Sequence, residues 1–485
     1  MENVKNDVGN IDVQKYSPLV EELFRQFSHT EDFVVKEMEI HNKWMLLCYL
    51  EPLVDKEKLN KLVLKLYEYI ENGEALHFLN EFNVTVDKQA IFQQVMEGNT
   101  PLFIAGLEES SILDTKLNIS RSSDEPSNER VIRGSHDGFI EHLSSNINIL
   151  RNRISNPNLS IQYRRVGTIS NSKCAIIYMR DLVDKDFLSD VISKIENINI
   201  EHVTSVGIIE EFLEENSYSP FPQILHTERP DRVAANILDG RVAVMVNGTP
   251  GVLILPVSFF AFYQSPDDYS SRWLTGSFYR IIRLISFFFA ISLPAIYISI
   301  ISFHAEVIPK GLVQLAKKSV EEIPYPPIIE AFILEITLEL LREAGIRLPN
   351  PIGQTIGIVG GLVIGDAVVR AGLVSNLMII VVALTAISSF IVPTHEMSAA
   401  VRVVRFPLMI LAATLGFMGI IYGFAVIFIH LVRLEPFGKP YFSPFAPFKL
   451  KEIKDTFIRL PMYYHNNSKK GGDKSPKASS VSREK

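Results

Sequence analysis

The sequence predicts an α/β cytoplasmic N-terminal region of two small mixed subdomains, followed by an α-helical polytopic membrane domain. Three observations lead there. Strand-length and helix-length patterns alternate through the first half of the 485-residue chain. Charge is unevenly spread: residues 1–240 hold 39 acids and 24 bases, residues 241–432 hold 11 and 12, and residues 433–485 hold 5 and 12. The net charge therefore moves from −15 to +1 to +7 along the chain. Apolar runs long enough to cross a bilayer are confined to the middle block.

The first 30 residues lack the apolar core of a signal peptide, which predicts a cytoplasmic N-terminal region. Subdomain 1 covers residues 1–117. Ser17 as N-cap and Pro18 at the first position start a helix to Phe27. Phe33–Ile40 and Lys43–Leu50 read as strands, Lys56–Ile70 as an amphipathic helix, Gln89–Met96 as a helix and the run from Thr100 as a strand. Residues 118–133 are polar and without apolar period, and they are read as a linker.

Subdomain 2 covers residues 134–249. Phe139, Leu143, Ile147, Leu150 and Ile154 recur at helical spacing; two strands, a helix from Asp184 to Ile195 and an acid-rich helix near Val206 follow. Pro230, Asp231 and Gly240 mark the start and stop of another helix, and Asn247-Gly248 marks a turn after a strand. Cys48 and Cys174 both lie in apolar runs, as buried thiols of a reducing compartment do.

The membrane domain covers residues 250–432. Residues 250–263 are too short for a span and carry Pro256, so they read as a re-entrant or interfacial piece. Spans are expected at about 284–303, 352–369, 374–392 and 407–432, with Trp273, Tyr279, Arg280 and Arg283 at the cytoplasmic interface of the first. Both termini then lie in the cytoplasm, but Arg402 and Arg405 fall on the outer side, against the positive-inside rule. Residues 433–485 form a basic tail that attracts anionic lipid and whose end reads as disordered.

Chemistry-bearing candidates cluster between Ala331 and Pro393. Gly353, Gly357, Gly361 and Gly365 recur every fourth residue and form a stripe for close helix approach. Asp366 on the same helix is either an ion contact or the i,i+4 partner of Arg370. Glu335, Glu339 and Glu343 share one helical face, with Glu330 pointing away. That face is either the polar side of a surface helix or a ring of carboxylates at a pore mouth. No GxxxxGK[ST], GxSxG or HExxH run occurs, so no catalytic or cofactor-binding residue is assigned. The spacing of His136, Asp137, Glu141 and His142 fits no common zinc pattern, and no metal site is assigned. An acidic soluble half without a recognition motif argues against nucleic acid as a partner.

Three stretches carry a family resemblance: GSHDGFIEHLSSNINILRNRI (134–154), SPFP with TERPDRVAANILDGRVAVMVNGTP (219–250), and Ala331–Pro393. Together they resemble the A subunit of GerA-type spore germination receptors, over about Gly134 to Pro436. The resemblance implies a non-enzymatic homo-oligomer in the inner membrane of endospores. It further implies B (transporter-like) and C (lipoprotein) partner subunits, nutrient triggering and the release of monovalent ions. The competing reading is a solute permease with a cytoplasmic regulatory domain, against which the lack of visible inverted repeats counts.

Overall fold

Two antiparallel five-stranded sheets stand before a group of apolar helices in the computed structural model. It describes residues 15–40, 43–71, 82–118, 126, 129, 131, 133–311, 313–314, 323–348, 367–368, 370–449, 456–459 and 461. Subdomain 1 runs α1 (Pro18–Phe27), β1 (Phe33–Ile40), β2 (Lys43–Leu50), α2 (Lys56–Glu71), β3 (Asn83–Thr85), α3 (Lys88–Glu97), β4 (Thr100–Ile104) and β5 (Ser110–Leu113). Ser17 caps α1 with Pro18 behind it, as expected. Asp87 caps α3, which ends at Gly98 in the left-handed region (φ 93°), where its missing Cβ leaves room for the Leu53 carbonyl.

Subdomain 2 runs α4 (Leu143–Arg153), β6 (Leu159–Val166), β7 (Ser172–Met179), α5 (Lys185–Glu196), α6 (Val206–Leu213), β8 (Leu225–Thr227), α7 (Pro230–Leu238), β9 (Val242–Val246) and β10 (Val252–Leu255). The sheet orders are β1-β2-β4-β5-β3 and β6-β7-β9-β10-β8, one permutation used twice. The two subdomains therefore share a topology that no sequence repeat announced.

Buried polar contacts join the two units. Arg151 of α4, fully buried, donates Nε to Asp32 Oδ2 at 3.0 Å and Nη2 to Asp32 Oδ1 at 2.7 Å, and its Nη2 also reaches Thr30. Around this fork Ser160 donates to the His29 carbonyl and Asn148 to the Pro52 carbonyl. A bidentate guanidinium–carboxylate pair removed from water holds one relative placement of the subdomains.

The helical half contains α8 (Pro266–Ser270), α9 (Trp273–Phe303), α10 (Pro327–Arg347), α11 (Asn376–Phe390), α12 (His395–Leu415) and α13 (Phe417–Arg433). Of the described helices, α9 and α12 have the length and apolarity to cross a bilayer. Their outer faces, with those of α11 and α13, carry exposed Ile285, Phe289, Leu384, Ile387, Ile410, Ile421 and Ile429. So large an apolar surface has no place in water.

Three expectations are corrected here. Residues 250–263 form neither a re-entrant nor an interfacial piece: β10 lies between β9 and β8, and Phe259–Tyr263 is a buried 3-10 turn. A strand buried on both faces reads as an unbroken apolar run, which imitates a short membrane segment. The first apolar helix starts at Trp273, eleven positions before 284, because the aromatic and arginine stretch is its first three turns. The expected span 407–432 is two helices, broken at Gly416 (φ 59°). Gly419 and Gly423 of α13 then lie so close to Leu411 and Leu408 of α12 that any Cβ would collide, which makes this hairpin a small-residue helix pair.

The linker 118–133 and the tail are described only in part. Leu434–Lys449 folds back on subdomain 2, where Tyr441 donates to the Pro222 carbonyl at 2.6 Å. Gly353, Gly357, Gly361, Gly365 and Asp366 lie outside the described residues, as does the tail end.

Replacing Arg151 by Met leaves Asp32 charged and buried without its partner. We expect destabilisation of about 3–5 kcal/mol, largely recovered in the Asp32→Leu/Arg151→Met double variant, as read by denaturant unfolding.

Candidate functional site: a charged seam among apolar helices

Five charges inside the apolar half gather on one seam. Glu335 of α10 and Arg405 of α12 are both buried and form an ion pair. Arg405 also donates Nε to the Ala290 carbonyl of α9 at 2.6 Å, so three helices meet at one guanidinium. One turn on, Glu339 lies 3.2 Å from Arg402 Nε and 3.8 Å from Arg342 Nη1. Arg342 reaches Ser389 Oγ of α11 at 3.2 Å and lies over the Phe390 ring. Two carboxylates thus face three guanidinia. Burial makes the Glu335–Arg405 pairing obligatory, since a lone charge in this setting costs several kcal/mol, whereas the Glu339 side chain keeps 33% of its surface exposed.

The structure separates the three glutamates that share a face in sequence. Glu335 and Glu339 enter the seam, whereas Glu343 is exposed and pairs with Arg347 one turn away. Glu330 points elsewhere, as expected: it accepts hydrogen bonds from the backbone and hydroxyl of Ser375, the N-cap of α11. A carboxylate there also meets the positive end of that helix. The arginines that contradicted the positive-inside count, Arg402 and Arg405, are the partners of Glu339 and Glu335. Complementary spacing (335/339 against 402/405) is the signal that would have found the seam. Among the described residues, Glu335 Oε1 and Arg405 Nη2 are buried without a hydrogen-bond partner. A polar atom in that condition is open to an ion, a water or another chain.

Two further charged regions lie where the halves meet. Asp268 is buried beneath Arg280 and Arg283 of α9, with Arg280 Nε at 3.3 Å and Arg283 Nη1 at 2.9 Å. Arg459, from the tail, donates to the Asp268 and Ser271 carbonyls at 2.6 Å each. The second is an acidic cleft of about 270 Å³, lined by Glu210, Glu211 and Glu214 of subdomain 2 and Glu396 of α12. Burial, then the charges of Glu396 and Glu214, push the Glu210 carboxyl up to about 8. Burial raises Glu214 as well. His226 stands 3.9 Å from Glu396. Asp137 lies beside Arg153 at 2.9 Å, and His142 is the N-cap residue of α4. No group of three or more metal-ligating side chains occurs among the described residues.

A duplicated mixed α/β soluble half, riveted to apolar helices that hide paired charges, defines a membrane-associated protein with its soluble mass on one side of the sequence. Comparison with known proteins narrows the class. The chain belongs to the Bacillus/Clostridium GerA spore germination protein family, whose model matches residues 21–470. It is 41% identical to spore germination protein A1 of Bacillus subtilis over 433 residues, 88% of this chain and 90% of that protein. It is 37% identical to spore germination protein KA of the same organism, covering 92% of this chain and 84% of the relative. It is 42% identical to spore germination protein B1, covering 81% and 82%. A solved N-terminal domain, from the A subunit of the Bacillus megaterium spore germinant receptor GerK3, is 23% identical at a TM-score of 0.39. That match covers 50% of this chain and 94% of that one.

The acidic cleft predicts a pH dependence. The folded chain holds a proton on Glu210 that the unfolded chain releases above about 4.5, so stability falls as pH rises from there to about 8. Glu210→Gln should flatten that slope in thermal unfolding measured from pH 5 to pH 9.

Proposed function

We propose that this chain is the A subunit of a nutrient germinant receptor, acting in the spore inner membrane as a non-enzymatic oligomer that couples germinant sensing to ion release. Membership of the GerA family supports the role in germination. The observation that carries the coupling is the seam. Glu335 and Arg405 are buried among apolar helices, each with a polar atom open to a further partner. Intramembrane charges of this kind line routes for ions. On this reading monovalent ions pass along the Glu335–Glu339 face, and the stripe of Gly353, Gly357, Gly361 and Gly365 packs copies of the chain together. Asp366 then sits either on the ion route or in a pair with Arg370. The chain is multi-pass with a cytoplasmic N-terminal region, and transporter-like B and lipoprotein C subunits complete the receptor.

The pairing of Glu339 with Arg402 also accounts for an arginine in a part of the chain where charge is sparse. A route that opens must separate such pairs, and that gives the seam two states with a barrier between them.

The test is germinant-triggered potassium release from spores carrying variants at normal chain level. Glu335→Gln should lower the release rate roughly tenfold, the effect of about 1.4 kcal/mol on the route. Unchanged release at normal assembly would remove the seam from the route. Gly361→Leu should reduce oligomer recovered in detergent, while intact oligomer would exclude the stripe as the packing face.

A further inference from the structure

We propose that the cavity at the junction of the two halves binds the head group of an anionic phospholipid. Its volume is about 730 Å³, and it is lined by Arg133, Arg232, Arg272 and Arg283 against the carboxylates of Glu129 and Asp267. Two of the four arginines are structural. Arg232 pairs with Glu129 and donates to the Ala261 and Gln264 carbonyls at 3.2 and 3.3 Å. Arg283 is held by Asp268 and the Tyr263 carbonyl. The guanidinia of Arg133 and Arg272 are exposed and make no ion pair among the described residues. The cavity therefore has two fixed cations in its wall and two that remain available at its mouth.

The first turn of α9 adds to this. Arg272 is its N-cap residue and provides no side-chain cap, and both Arg272 and Thr275 line the cavity. Uncapped amides at the start of a 31-residue helix favour an anion in the space that the arginines already make positive.

The rest of the lining selects a lipid over a free anion. Tyr279 and Ile282, two turns into α9, and Ile391 and Pro393, past the end of α11, form an apolar wall running from the arginines toward the apolar helices. Next to it on α9, Trp273, Leu274, Phe278 and Tyr279 are exposed, the composition of a membrane–water interface. A phosphate ion gains nothing from Ile282 or Ile391, whereas the glycerol and first acyl carbons of a phospholipid bury against them. A basic pocket between helices at such an interface is the setting in which anionic head groups bind. The occupant would lie against both α9 and the Arg232 side of subdomain 2, and would so bridge the soluble half to the membrane.

The experiment is native mass spectrometry of the full chain purified in detergent and presented with phosphatidylglycerol, phosphatidylcholine or inorganic phosphate. The expected result is one phosphatidylglycerol retained per chain, with affinity about thirtyfold weaker in Arg133→Gln/Arg272→Gln, the loss of two head-group contacts. Lys469→Gln/Lys470→Gln, which thins the basic tail, should keep the retained lipid. Equal retention by the arginine double variant overturns the proposal, as does equal retention of phosphatidylcholine. Displacement of the lipid by millimolar inorganic phosphate would show a free-anion site and likewise overturns it.

Discussion

A charge removed from water must be met by its opposite, and that constraint organises the apolar half of this protein. Glu335 and Arg405 cannot be buried separately, so α10 and α12 must lie side by side at one register. The Nε bond from Arg405 to the Ala290 carbonyl then brings in α9, and Glu339 with Arg402 extends the register by a turn. Apolar packing alone would leave these helices free to slide, because one Leu or Ile surface fits another at many offsets. Paired charges remove that freedom. The same logic holds the soluble half, where Arg151 and Asp32 admit one placement of the two sheets.

The two halves are not joined by a hinge. One hydrophobic core runs from the face of the second sheet, through Phe259–Tyr263, into α9, α12 and α13. Polar bonds follow the same path: Arg232 to the Ala261 carbonyl, Thr394 to the Phe262 carbonyl, and Ser219 to His430 of α13 at 2.8 Å. A displacement of subdomain 2 is therefore transmitted to the helices through packed side chains rather than through a flexible segment. Asp268 sits at the centre of the joint, held by two arginines of α9 and approached by Arg459 of the tail.

Local signals in the sequence are legible where chain chemistry alone decides the outcome. Ser17-Pro18 opens α1, and Pro230 and Gly240 bound α7 as their conformational preferences require. β1 and β2 begin and end where the strand-length runs of the sequence place them. Where an element is buried on both sides, its pattern loses the contrast between inside and outside. That is why β10 reads as membrane, and why the apolar stretch from His395 to Arg433 hides a helical hairpin turned by Gly416.

The candidate site divides in the same way. The sequence by itself determined that Glu335, Glu339 and Glu343 share a face, since 3.6 residues per turn leaves no other arrangement. It also determined that charge is scarce between residues 241 and 432, and hence that each charge there requires a reason. Only the tertiary structure decided which glutamates meet arginines. Partner choice depends on the register between helices some 70 positions apart, and helical periodicity holds no information about that distance. Glu343 lies one turn too far to reach the seam and faces solvent with Arg347. Arg402 and Arg405, anomalous when counted as loop charges, become ordinary once two carboxylates are placed across from them.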